Sequence, residues 1–266
     1  MTLHKLSSHQ KMLYHYGLFM ILVILVISPT MLLSQTPEVL FDNANKLYQE
    51  QSYQKAIEFY QQILAQGYES AEVYYNMGNC YYRLNETGKA ILFYEKALAL
   101  EPNDSDIRYN LDMANLKVID RIEMPQRFFL FEWWDALVRY FSLSELTRLL
   151  IIFYMILILA LVIFLYLRRD RIRRYLLIII VLMGLSTLFS GYLLYVKAHS
   201  YVNHRFGIVL SSTATVYSAP DENSTDVFIL HEGLKVRMDE VRQEWVKISL
   251  PDGKSGWIET TTLGII

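Results

Sequence analysis

The sequence predicts three fold types in series: an all-α helical-repeat solenoid, a two-helix transmembrane hairpin and an all-β small barrel. Three observations carry this reading. Residues 37–70 and 71–104 align at a period of 34. Two later blocks, Leu149 to Leu167 and Tyr175 to Val196, contain no charged residue. From Phe206 onward the chain turns to short alternating runs separated by turn residues. Bulk composition conceals the division. Hydrophobic residues make up 53% and charged residues 20% of the 266 residues, near globular averages. The mean hydropathy of +0.20 implies that the apolar residues are gathered in blocks. As helices, the two charge-free blocks span roughly 28–33 Å, the thickness of a hydrocarbon core. That excludes a plain soluble enzyme, and two blocks are too few for a multi-pass transporter. A net charge of -2 and a pI near 6.3 argue against a nucleic-acid partner. A single cysteine excludes an intrachain disulfide, and no Cys/His zinc pattern is present.

The first segment, 1–34, reads as a signal peptide. Lys5 and Lys11 make a weakly positive start, Leu18 to Ile27 is an unbroken apolar core, and Ser28-Pro29 interrupts it. Leu32-Leu33-Ser34 offers cleavage before Gln35; an uncleaved anchor is the alternative. Either way the chain after residue 35 lies outside the cytoplasm.

Residues 35–122 form the repeat domain. In its second copy Tyr74, Met77, Gly78, Tyr81, Ala90, Tyr94, Ala97 and Pro102 occupy the eight signature positions of a 34-residue helical repeat. Gly78 and Ala90 stand where two antiparallel helices come closest, Tyr81 and Tyr94 fill the space between helix pairs, and Pro102 stops the second helix. The first copy is degraded, with Leu40, Ala44, Leu47, Ala56, Tyr60 and Ile63 as substitutes, and a third unit beginning at Ser105 supplies one helix. The pattern resembles the tetratricopeptide repeat (TPR). Such arrays bind rather than catalyse. The resemblance implies a groove lined by Phe41, Asn45 and Tyr48, by Tyr75, Asn76, Asn79, Tyr82 and Arg83, and by Tyr109, Asn110 and Met113. The asparagines would hydrogen-bond an extended peptide, and the tyrosines would supply flat contact area. Phe41 and Asp106 stand where a carboxylate-clamping TPR has lysine, and residues 35–120 hold 7 Lys+Arg against 13 Asp+Glu. A basic or apolar peptide is therefore the expected ligand. Cys80 is expected in a small buried position.

An amphipathic juxtamembrane segment, 123–148, leads to the membrane. Phe129, Trp133, Leu137, Tyr140 and Phe141 share a helical face, with Glu132, Asp135 and Arg139 mostly off it. Ser142 with Glu145 fits a capping box opening the first span. The spans are 149–167 and 175–196. Between them the basic loop 168–174 holds Arg168, Arg169, Arg171, Arg173 and Arg174, a cytoplasmic-side signal that places both flanks across the membrane. Gly184, Thr187 and Gly191 form a candidate contact seam with the first span.

Residues 206–266 read as five or six strands with a tight turn at Pro251-Asp252-Gly253. His231-Glu232-Gly233 before a strand, Glu244 to Ile248, and the string Asp252 to Ile258 with its Gly256-Trp257 resemble bacterial SH3 domains, which implies binding of cell-wall peptides or protein tails. Trp245 and Trp257 are the candidate ligand surface; core or rim packing is the alternative. Gly253-Lys254-Ser255 superficially resembles a phosphate-binding loop, but the earlier glycine it needs would fall at Ile248. No nucleophile-elbow, zinc-protease or dinucleotide motif is present, and His199, His204 and His231 lack metal-ligand spacing. No catalytic residue, cofactor or metal is expected.

The order of parts resembles the BatE-type proteins of the Bat aerotolerance operons. That resemblance implies a bacterial inner-membrane protein with both folded domains in the periplasm. It also implies partnership with von Willebrand factor A domain membrane proteins and a MoxR-type ATPase, and a role in oxygen or envelope-stress tolerance. A non-enzymatic scaffold working through the TPR groove is the first functional expectation. An envelope sensor whose SH3-like domain reads peptidoglycan is the second. The assigned orientation predicts that alkaline phosphatase, which folds only outside the cytoplasm, is active when fused after Asp120 or at Ile266; cytosolic activity of a reporter at those positions would overturn it.

Overall fold

The computed structural model of the chain describes residues 36–122, 128–167, 169–203 and 205–266; the signal segment 1–34, Arg168 and His204 lie outside the described residues. Five helices form the repeat array: α1 (Pro37–Gln49), α2 (Tyr53–Ala65), α3 (Ala71–Arg83), α4 (Thr87–Leu100) and α5 (Ser105–Asn115). Their ends follow local chemistry. Pro37 occupies the first turn of α1, the Ser70 hydroxyl accepts from the Val73 amide, and the Asp104 carboxylate accepts from the Asp106 and Ile107 amides. The turns within the two pairs also repeat: Gln51 and Asn85, one period apart, both take left-handed backbone at φ +60° and +62°. The buried face is the signature set, with Leu40, Ala44, Ala56 and Tyr60 in one copy and Met77, Gly78, Tyr81, Ala90 and Tyr94 in the next. A Cβ on Gly78 would lie 2.6 Å from the Tyr94 ring, so only glycine lets α3 and α4 approach this closely.

Helix α6 (Phe129–Tyr140) precedes two long apolar helices, α7 (Leu143–Tyr166) and α8 (Asp170–Asn203). Both hydrogen bonds of the predicted capping box are present: the Ser142 hydroxyl accepts from the Glu145 amide at 3.2 Å, and the Glu145 carboxylate from the Ser142 amide at 2.8 Å. The helices are long and apolar enough to cross a membrane, and only 6% and 11% of their most apolar windows are buried within the molecule. A core helix of a soluble protein would bury most of that surface; here it faces outward and points to membrane association. α8 starts at Asp170, so Arg171, Arg173 and Arg174 stand on its first turns rather than in a loop. Asp170 suits that end because its negative charge complements the helix dipole. The α7–α8 seam is narrower than the small-residue pattern predicts. Ser190 and Leu193 are buried and a Cβ on Gly191 would meet Leu150 at 3.7 Å, but Gly184 has nothing within 4 Å. α6 lies against α8 through Trp134, whose ring is 6.0 Å from that of Tyr192, while Phe129 and Trp133 remain exposed. Lys197 of α8 donates to the carbonyls of Val138 and Phe141, tying the exit of the hairpin to its entrance.

The last domain is an antiparallel sheet of seven strands among the described residues: β1 (Arg205–Val209), β2 (Thr213–Tyr217), β3 (Asp226–His231), β4 (Lys235–Arg242), β5 (Trp245–Ser249), β6 (Ser255–Glu259) and β7 (Leu263–Ile265). They run in the order β3-β2-β6-β5-β4-β1-β7. Alternation puts Val216, Val236, Val246, Ile248 and Ile258 in one core. The predicted turn forms with Gly253 at φ +91° and its amide bonded to the Leu250 carbonyl.

This sheet packs directly on the helical array. Ile208 of β1 is fully buried in the same cluster as Ile91, Leu92 and Tyr94 of α4, with Val118, Leu210 and Ile266 against it. Two glycines make room: a Cβ on Gly264 would sit 2.5 Å from Leu92, and one on Gly88 would sit 2.8 Å from the Val209 carbonyl oxygen. Polar contacts surround this patch. The Asp120 carboxylate accepts from the His231 amide at 2.6 Å and lies 2.8 Å from His231 Nδ1; Lys235 pairs with Glu95 at 2.7 Å. At the start of α4 the N-cap residue Glu86 makes no side-chain cap, and Glu232 of the barrel accepts from the Gly88 amide at 2.6 Å instead. A carboxylate from another domain thus satisfies an unpaired helix donor and complements the dipole. Glu232→Ala is expected to cost about 1 kcal/mol and to speed amide hydrogen exchange at the first turn of α4 while leaving the barrel core protected; unchanged exchange at Gly88 and Lys89 would show that the cap carries nothing.

Candidate partner-binding surfaces

The groove asparagines form a ladder that repeats with the helices. The Tyr60 hydroxyl of α2 donates to Asn45 Oδ1 of α1 at 2.5 Å, and the Asn76 amide of α3 donates to the same oxygen at 3.2 Å. One period on, the Tyr94 hydroxyl of α4 donates to Asn79 Oδ1 of α3 at 2.8 Å, and the Asn110 amide of α5 reaches that oxygen at 3.3 Å. Asn110 also donates to the Tyr75 hydroxyl at 2.6 Å. At the next equivalent position stands Met113, which cannot accept as an amide does, and the ladder ends. Each second-helix tyrosine is thereby satisfied by its own first helix, and each first helix is stitched to the next. Burial pushes the Tyr60 and Tyr94 phenols well above the usual tyrosine range, so both remain donors at neutral pH.

The predicted groove residues therefore divide. Asn45, Asn76, Asn79, Asn110 and Tyr75 are brought together, and they hydrogen-bond one another and the repeat tyrosines. Tyr82 carries the Lys117 ammonium 4.0 Å from its ring centroid. Phe41 packs edge-on to Tyr60, with centroids 5.9 Å apart, and Tyr48 edge-on to Tyr53 at 5.3 Å. Tyr109 is 64% exposed, and Arg83 is exposed. The sequence offered a signal for the ladder, since Asn45 with Tyr60 and Asn79 with Tyr94 share both spacing and period. A second feature was not anticipated: a cavity of about 400 Å³ at the α1–α3 end, where Glu38, Asp42, Glu69 and Glu72 stand around Phe41 and Tyr68. Four carboxylates around two aromatic rings suit a cationic side chain.

Cys80 is fully buried within the array, and burial pushes its thiol up to about 12, which disfavours the thiolate at neutral pH. On the outer face of the barrel, opposite the core residues of β5 and β6, Trp257 is 7% exposed beneath Arg242, whose guanidinium lies 5.1 Å from its ring. Trp245 is half-buried and edge-on to Tyr217 at 5.4 Å. Among the described residues no group of three acidic, His or Cys side chains is placed to hold a metal ion. Asn79→Ala leaves the Tyr94 hydroxyl without its acceptor and is expected to cost about 1–3 kcal/mol, whereas Tyr109→Ala should stay within about 0.5 kcal/mol; denaturant titration followed by far-UV circular dichroism separates the two.

Residues 71–104 match the tetratricopeptide repeat family, and residues 211–264 match the bacterial SH3 domain family. No curated protein matches the chain. Solved structures similar to it include an NlpC/P60 family protein from Bacillus cereus ATCC 10987, 18% identical, with a TM-score of 0.21. That match covers 26% of this chain and 22% of that one, so the chain spans under a quarter of its length, and it bears on neither fold nor function. The two family matches agree with the helical array and the strand sheet described above. Both are, as a rule, non-catalytic interaction domains. The chain therefore combines a TPR unit, two helices of membrane-spanning length and an SH3-like sheet, an arrangement suited to protein interaction or envelope binding.

Proposed function

We propose that the protein is a membrane-anchored, non-enzymatic adaptor that docks segments of partner proteins on its TPR unit. The observation that carries this is the joining of both interaction domains on one side of the hairpin. Lys197 binds the entrance of the first span, Ile208 sits in the repeat core, and only residues 167–169 connect the two spans at the far end. A sensor passing a signal inward needs mass on that far side, and a three-residue connection provides none. Partners must carry any signal. The acidic cavity at the α1–α3 end and the exposed Tyr109 support a basic or apolar ligand segment.

The finer reading rests on the order of parts and on the charge of the connection. The arginines around residues 168–174 favour the cytoplasmic side, which supports TPR and SH3-like domains in the periplasm, anchored in a bacterial inner membrane. The resemblance to BatE-type proteins supports a place among von Willebrand factor A domain membrane proteins and a MoxR-type ATPase, in oxygen or envelope-stress tolerance. A second reading, peptidoglycan binding by the SH3-like domain, is favoured by the outer-face pair Tyr217 and Trp245, which has the aromatic character of a glycan or peptide platform. The test is co-purification in mild detergent. Asp42→Lys with Glu72→Lys and Tyr109→Ala is expected to lose the membrane partners recovered with the wild-type chain while the protein stays folded; undiminished recovery would sink the adaptor reading. Sedimentation of the full chain with purified peptidoglycan, reduced by Trp245→Ala, would favour the second reading instead.

A further inference from the structure

A cavity of about 710 Å³ lies where the folded unit meets the hairpin. It is separate from the TPR groove and from the aromatic face of the barrel. Its walls come from the end of α4, from α5, α6 and α8, and from β1 and β4. That volume is within the range of small-molecule sites, which run to roughly 300–1,000 Å³.

Two properties of the lining define what fits. The first is charge. Arg108, Arg139, Lys197, Arg205 and Lys235 line the cavity against a single acidic side chain, Glu95. Glu95 is taken by Lys235 at 2.7 Å. Lys197 donates to the carbonyls of Val138 and Phe141, and Arg108 to that of Pro102, so these bonds fix the side chains without neutralising them. The site thus concentrates positive charge in a chain whose net charge is -2. The second property is apolar surface: Leu98, Val138 and Phe206 line the same space. The location joins the two. Lys197 belongs to the second span near its exit, and Val138 and Arg139 belong to the helix that enters the first span. With α7 and α8 spanning a membrane, the cavity would stand at the level where headgroups meet hydrocarbon. Convergent guanidinium and ammonium groups recognise phosphate oxygens, and an apolar wall beside them accepts a chain.

We propose that this cavity binds a phosphate ester, its anionic head among Arg139, Arg205 and Lys197 and any chain along Leu98, Val138 and Phe206. The ester is either the head of an anionic membrane lipid or a soluble phosphate ester. The proposal rests on the membrane association of α7 and α8 and is independent of the adaptor reading. The full-length protein in mild detergent is equilibrated with phosphatidylglycerol, phosphatidylcholine or glycerol phosphate and examined by native mass spectrometry. The expected result is one retained phosphatidylglycerol, favoured about tenfold over phosphatidylcholine and weakened about tenfold by Arg139→Gln with Arg205→Gln, as for loss of charge-assisted bonds. Arg169→Gln with Arg174→Gln, at the opposite end of the hairpin, should leave it unchanged. Glycerol phosphate retained as strongly and lost in the same double variant upholds the site and assigns it a soluble ligand. Equal retention of phosphatidylcholine, or no loss in the Arg139/Arg205 variant, overturns the proposal. Both arginines are exposed, so an unchanged thermal midpoint is expected; Arg139→Gln alone, on α6 outside the repeat array and barrel, gives the same test if the double variant does not fold.

Discussion

The burial of Ile208 among the side chains of α4 is the contact on which the architecture depends. A barrel strand that enters a helical core turns two domains into one body. The α7–α8 hairpin returns the chain to the end it left, which is what lets the junction form. Lys197, held by the carbonyls at the entrance of the first span, keeps the ends of the two spans together. The strand that enters the helical core is the next element after α8, with β1 beginning at Arg205.

Polar groups in the repeat unit serve the repeat first. Asn45 and Asn79 accept from Tyr60 and Tyr94, which are almost wholly buried, and leaving such hydroxyls unpaired would cost more than most ligand contacts return. Outside that network lie the acidic end around Asp42 and Glu72 and the outward tyrosine at 109, the surfaces proposed for partners. Ligand selection would then follow charge and aromatic contact more than an asparagine clamp on a peptide backbone.

Much of this was legible in the sequence because it is local. The period of 34, the close helix approach at Gly78, the Ser142–Glu145 box and the turn at Gly253 each arise from residues a few positions apart or one repeat apart, and the structure has them. The strands were found nearly in full, since alternation marks them. The junction was not legible. His231-Glu232-Gly233 reads as an ordinary barrel turn, and nothing near it in sequence indicates that His231 meets Asp120 or that Glu232 meets Gly88. The hint lay at the other end, in a helix start at Thr87-Gly88 behind a glutamate that does not cap it. The small-residue seam was over-read for a related reason: Gly184 and Gly191 look alike in sequence, and only the tilt of two particular helices decides which of them is approached. In the groove, residue types pointed outward to a ligand, while their spacing already implied partners within the repeat.

The acceptor for the first turn of α4 lies 144 positions downstream. In chain order α4 precedes its own cap, and the carboxylate follows only after α7, α8 and the first three strands. A chain truncated before Glu232 lacks that carboxylate. Completion of the first turn of α4 is thus tied to the presence of the last domain.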